Sequence, residues 1–200
     1  MKMLCILVVL GIFCIGYVRS MDTIFANNEL GYLYSEGKEG YVYNTPVTGE
    51  GNIKSVLAIS ERVDEVTPLK VIRREFKDIT YHIIAAPEEL CNSAGDSPQN
   101  TAACVFSYNK NLGNRTGLVL AYEKPSFNNY FMFSLPLTND TNGFQIYNQG
   151  QCVTIDSMGA LDLAECIDAD SLSRQMQIFR WVDKKWYDHG MARRNSPNPK

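Results

Sequence analysis

Four short runs decide the fold: Phe144-Gln145-Ile146-Tyr147-Asn148, Gln151-Cys152-Val153-Thr154-Ile155-Asp156, Ala160-Leu161-Asp162-Leu163-Ala164-Glu165-Cys166 and Gln177-Ile178-Phe179-Arg180-Trp181. Apolar residues alternate with polar ones, as in Val153-Thr154-Ile155 and Leu161-Asp162-Leu163. Side chains of a strand point alternately to its two faces, so this period predicts half-buried strands. Met158-Gly159 supplies a turn between the second and third runs, and an Asp/Ser loop precedes the fourth.

The same order of four runs is traced twice upstream. One block is Tyr81–Ile84, Glu89–Gly95, Ala103–Tyr108 and Tyr130–Phe133; the other is Thr23–Phe25, Gly31–Gly37, Gly40–Tyr43 and Leu69–Ile72. The blocks differ in length, so insertions are required. Further strands are expected at Val56–Ser60 and Gly117–Tyr122. Many short strands between Gly, Asn, Asp, Pro and Ser read as an all-β sandwich or barrel. Three hairpins each bury little alone, and together they close a sheet and remove its edges.

Composition agrees with one globular domain. The chain has 200 residues, 45% hydrophobic and 20% charged, with a formal charge of −3. This excludes a disordered protein, a collagen-like repeat and a long coiled coil. The acidic balance argues against a nucleic-acid partner, which would be met by a basic face. Met1-Lys2 followed by an apolar run to Val18, with Ser20 before the cut, reads as a secretory signal peptide over residues 1–20. The run is short of the ~20 residues of a comfortable span, and no later segment replaces it, so no integral membrane span is expected after cleavage. From residue 21 the chain carries 17 basic and 22 acidic side chains.

Four cysteines then remain, Cys91, Cys104, Cys152 and Cys166. An even number in an oxidising compartment predicts two disulfides, with three pairings open. Zinc would need tighter spacing and more histidine than His82 and His189 provide, so neither a metal nor a cofactor is expected. Asn114-Arg115-Thr116 and Asn139-Asp140-Thr141 are glycosylation sequons.

The third block resembles the ricin B-type lectin repeat. Cys152 opens its second strand, Cys166 closes its third, and Gln177-Ile178-Phe179 stands where that family has Gln-x-Trp. The resemblance implies a β-trefoil of three pseudo-repeats over residues 21–182. It also implies disulfides within a repeat, Cys91–Cys104 and Cys152–Cys166. Phe179, with Phe131, Phe133 and Ile72 at like positions, is then core. The implied function is a secreted, extracellular carbohydrate-binding module in adhesion, with glycans or glycoproteins as partners.

Sugar recognition asks for a carboxylate, an aromatic face and an amide. The family places the carboxylate two residues after the first cysteine, where this chain has Thr154, Ser93 and Tyr34 in its three blocks. Asp156 keeps the same strand parity and is the candidate substitute; its alternative role is a turn residue. Asp168, Asp170 and the amide of Gln175 complete the candidate set. No nucleophile elbow, HExxH, P-loop or GxGxxG occurs, and Glu88-Glu89 and Asp168/Asp170 read as solvated loop charge, so no catalytic residue is expected. A Kunitz-type trefoil protease inhibitor and an extracellular coat protein without a sugar pocket are the alternatives. Residues 183–200 carry five bases against two acids. They read as a flexible basic tail or processing segment, or as an arm for anionic glycans or phospholipid headgroups.

Overall fold

The computed structural model describes residues 29–46, 55–76, 78–91, 103–112, 115–123, 132–136, 138 and 143–195. The leader, both sequon asparagines and Phe131 lie outside these residues.

Among the described residues the protein is all-β apart from short helices, and every pairing is antiparallel. In chain order the strands are β1 (Gly31–Ser35), β2 (Gly40–Pro46), β3 (Ser55–Ser60), β4 (Lys70–Phe76), β5 (Ile79–Ala86), β6 (Cys104–Leu112), β7 (Arg115–Tyr122), β8 (Tyr147–Asn148), β9 (Gln151–Ile155), β10 (Leu161–Ala164) and β11 (Phe179–Asp183). Helix α1 is Leu172–Gln175 and helix α2 is Lys184–Asn195. They form sheets of order β11-β1-β2-β3, β4-β5-β6-β7 and β10-β9-β8.

Isolated bridges link the sheets in a repeating way. Gly31 pairs with Leu69, His82 with Phe133, and Phe144 with Phe179. One step further on, Lys70 faces Ala85, Ser134 faces Tyr147, and Arg180 faces Tyr34. Each of the three junctions thus has the same register: the residue after one bridge partner faces the third residue after the next. The core repeats with it. Leu69, Phe133 and Phe179 are buried at one level, and Leu33, Ile84 and Ile146 at another. Alternation in strands of mixed origin therefore converges on a single apolar cluster, which also takes in Val42, Leu57, Leu118, Val153 and Leu161.

Three features depart from the sequence reading. First, pairing sets the blocks by one strand differently in the first two units. Gly31–Ser35 is the opening strand of the first unit, Gly40–Pro46 its second and Ser55–Ser60 its third; Thr23–Phe25 lie outside the described residues. In the second unit Cys104 opens the second strand, and β7 is the third. Second, Ile72 is only partly buried and belongs to a small separate cluster with Ile83, Ala85 and Val105; Leu69 takes the place in the main core. Third, the segment expected as a flexible tail is helical over Lys184–Asn195. Contact with β1 and β11 holds it.

Both disulfides are present in the sequence-local pairing. Cys91–Cys104 has a Cα separation of 5.6 Å, and Cys152–Cys166 one of 5.0 Å. Their places are not equivalent. Cys104 is itself in the main core at the start of its second strand and ties that strand back to the loop after β5. Cys152 instead ties its strand forward, to the chain after β10.

Candidate functional site

The connection between β10 and β11 carries most of the candidate residues, and buried chemistry fixes its base. Gln177 is buried. Its amide nitrogen donates to the Glu165 carbonyl at 2.7 Å, and its amide oxygen accepts the Ile167 N–H at 2.9 Å. A buried amide that meets both main-chain groups closes the loop like a rung. Cys166, between those two residues, is tied to Cys152. Ser171 caps α1 by accepting the Arg174 N–H at 3.1 Å.

Above this base Asp168, Asp170 and Gln175 are exposed. The main chain at Gln175 and Met176 abuts the turn between β1 and β2: a Cβ at Gly37 would lie 2.7 Å from the Gln175 carbonyl carbon and from the Met176 nitrogen. The Glu36 N–H donates to the Ile178 carbonyl at 3.1 Å. Glycine at 37 is what permits this approach. The amide-bearing helix therefore sits beside Glu36, whose carboxylate pairs with Arg180. Arg180 in turn faces Tyr34 across β11 and β1.

Asp156 is not part of this assembly. Its Oδ1 accepts the N–H groups of Met158 and Ala160, each at 2.8 Å, so the carboxylate is engaged in its own turn. That turn lies against β3, with the Ile59 N–H donating to the Gly159 carbonyl. The register also moves the positions compared with the family's carboxylate. Tyr41, Val105 and Cys152 hold equivalent places, facing Tyr34, Ala85 and Tyr147. Two residues on stand Tyr43, Ser107 and Thr154, none of them acidic.

A tyrosine cluster flanks the junction. Tyr41 makes edge contacts with Tyr34 at 5.1 Å and with Tyr187 of α2 at 5.2 Å, and Tyr32 lies 4.4 Å from Tyr187. The Tyr187 hydroxyl donates to the Val63 carbonyl. Burial pushes the Tyr34 phenol above its ordinary range, reinforced by Glu39 and Glu36 and opposed by Arg180. Tyr32 is raised by burial too, with Lys184 opposing and Asp188 adding. Sequence reasoning missed the approach of Gln175 to the turn at Glu36-Gly37, because the contact joins opposite ends of the chain. The glycine in Glu36-Gly37-Lys38 was the single local trace.

A shallow cleft of about 500 Å³ lies elsewhere, lined by Thr80, His82, Ser134, Leu135, Pro136 and Tyr147. Among the described residues no cluster of His, Cys, Asp and Glu is placed to hold a metal ion. No helix among them is long and apolar enough to cross a membrane.

No protein-family model matches the chain. No curated protein matches it. Solved structures do share its fold. A salivary protein of Culex quinquefasciatus from the Cysteine and Tryptophan-Rich (CWRC) family superposes with a TM-score of 0.54 at 9% identity, over 78% of this chain and 94% of that one. Cry35Ab1 gives 0.52 at 11% identity, over 78% of this chain and 36% of that one. The water-soluble chlorophyll protein of Brassica oleracea var. Botrytis gives 0.50 at 9% identity, over 78% and 90%. At these identities the likeness speaks for the fold alone.

Proposed function

We propose that this protein is a secreted, non-enzymatic β-trefoil of divergent ricin B type that binds glycans outside the cell. The threefold recurrence of bridge register supports the trefoil. Two disulfides suit an oxidising compartment. The observation that carries the binding site is the junction at Gly37, where the main chain of Gln175 packs on the turn bearing Glu36 and where Tyr34 and Arg180 face each other across paired strands. Amide, carboxylate and aromatic ring are the groups that hold a sugar's hydroxyls and its apolar face. Asp168 and Asp170 stand on the same connection and extend it. Asp156 serves folding instead.

A glycan array tests this reading. Sugar-inhibitable binding is expected, and Gln175→Ala and Asp168→Ala each weaken it about tenfold, the scale of one or two lost hydrogen bonds to a ligand. Asp156→Ala lowers stability and leaves affinity unchanged. No binding to any glycan, with tight inhibition of a serine protease in its place, would overturn the lectin reading for the inhibitor one.

A further inference from the structure

The three junctions between units share a register and differ in side chains. Lys70 faces Ala85 where the first unit meets the second, Ser134 faces Tyr147 where the second meets the third, and Arg180 faces Tyr34 where the third meets the first. A tyrosine therefore stands at the same backbone place in two of them. Its surroundings differ. Tyr34 faces Tyr41 across β1 and β2 and packs against that ring. Tyr147 instead faces Cys152 across β8 and β9, and Cys152 is buried in its disulfide. A half-cystine covers far less of a facing ring than a tyrosine does, and Tyr147 is left 40% exposed.

The cleft of about 500 Å³ opens at this second tyrosine. Its backbone is stitched on both sides. The main chains of His82 and Phe133 bond each other in both directions, at 2.7 and 3.0 Å, and those of Ser134 and Tyr147 do so at 2.8 Å. Beside Tyr147, buried Asn148 donates from its amide to the Met132 carbonyl at 2.6 Å. The lining is thus fixed before a ligand arrives, and little ordering opposes binding. Ligand sites span roughly 300–1,000 Å³ and combine apolar walls with a few polar groups. Here the walls are Tyr147, Leu135 and Pro136, and the polar groups are the exposed hydroxyls of Ser134 and Thr80 and the half-buried His82. Among the described residues, none that lines the cleft carries a carboxylate, an ammonium or a guanidinium.

We propose that this cleft is a second glycan site, built for an uncharged pyranose. A sugar ring offers a face of C–H groups to Tyr147, Leu135 and Pro136, and a rim of hydroxyls to Ser134, Thr80 and His82. Serine and threonine hydroxyls both donate and accept, as a sugar hydroxyl does. A charged ligand would find no counter-charge here. A wholly apolar one would strip water from the two hydroxyls without replacing its hydrogen bonds. The junction at Gly37 is charged by contrast, with Glu36 paired to Arg180. Asp168, Asp170 and Gln175 do not line the cleft. The inference rests on the reading of this protein as a glycan binder, and not on the Gly37 site. With two sites, one chain joins two glycans and gains avidity for a surface that displays many.

Nuclear magnetic resonance of the processed protein with labelled tyrosine rings tests it. The probes are the methyl glycosides of glucose, galactose, mannose and N-acetylglucosamine, with that of glucuronic acid as the charged counterpart. At least one neutral glycoside is expected to shift the Tyr147 signals saturably, and the glucuronide is not. Affinity read from broadening of the ligand's own lines should fall about tenfold in Tyr147→Ala and about fivefold in Ser134→Ala. Both side chains are exposed, so the core is kept. Gln175→Ala and Asp168→Ala should leave this binding unchanged. Tyr147 signals that no neutral glycoside moves, with array binding that Gln175→Ala still weakens, would overturn the second site and leave the first. A glucuronide that moves Tyr147 as strongly as the neutral sugars would overturn the uncharged assignment. A shift at Tyr147 with array binding indifferent to Gln175→Ala and Asp168→Ala would support the cleft and sink the Gly37 site. No sugar bound in either experiment would overturn both.

Discussion

The first and third units of the fold hold their second strands by different chemistry. In the third, Cys152 on β9 is bonded to Cys166, and Gln177 bonds the main chain on either side of that cysteine. In the first, the place of Cys152 is taken by Tyr41. It packs among Tyr32, Tyr34 and Tyr187. The place of Gln177, two residues before the bridging residue, is taken by Thr67, whose hydroxyl accepts the Asn44 N–H at 2.9 Å. One unit is locked covalently and by itself. The other borrows a ring from α2, so its lock depends on a segment distant in sequence. Equivalent backbone positions need to be immobilised, and more than one interaction of a few kcal/mol serves.

The widest gap between the two locks should appear on removing the covalent one. Closing a loop of 14 residues stabilises by about 3 kcal/mol on the chain-entropy model. Cys152→Ser with Cys166→Ser is expected to lose that amount in denaturant unfolding. Tyr41→Ala should lose about 2 kcal/mol, from its edge contacts at roughly 0.5–1.5 kcal/mol each. A cysteine variant as stable as the parent, or a Tyr41 variant weaker than it, would erase the distinction.

A smaller contrast concerns the polar rungs. Gln177→Leu leaves the Ile167 N–H and the Glu165 carbonyl without their partner, at about 2 kcal/mol. Thr67→Val removes one acceptor and is expected to cost about 1 kcal/mol. Hydrogen exchange reads the difference at Ile167 and Asn44. Protection at Ile167 that survives Gln177→Leu would show that the disulfide alone holds the loop.

The two units were also unequally legible in the sequence. In the third, the strands alternate cleanly and the turns are short, so Cys152–Asp156, Ala160–Cys166 and Gln177–Val182 coincide with β9, β10 and β11 to within a few residues. In the second, an insertion separates β5 from β6, and local pattern could not show that Cys91 lies in it rather than opening a strand. In the first, Gly31–Gly37 and Gly40–Tyr43 read as successive strands, while their place in the unit depends on pairing with β11, from the far end of the chain. Helix α2 escaped because its contact with β1 is anchored by Tyr187, not by an apolar stripe. Asp156 was legible as a turn residue from Asp156-Ser157-Met158-Gly159 alone. Gln175 could be named, and its neighbour Gly37 could not, because nothing local marks a contact between residues that far apart.

The smallest effect expected is one of pH, and it belongs to the tyrosine lock alone. Burial raises the phenols of Tyr32 and Tyr34 above their ordinary 10.0, with acids nearby adding to it. The folded protein therefore keeps these protons to a higher pH than the unfolded chain does. Stability is complete below pH 10.0, the unfolded value, and falls as pH rises through the folded values. A disulfide has no such proton to lose, so the alkaline decline should begin in the first unit. Tyrosinate absorbance followed alongside unfolding will show the two rising together, and Tyr32→Phe with Tyr34→Phe will shallow the slope. A slope unchanged in that double variant would place the alkaline sensitivity outside the cluster, and the first unit would then be held by something other than its rings.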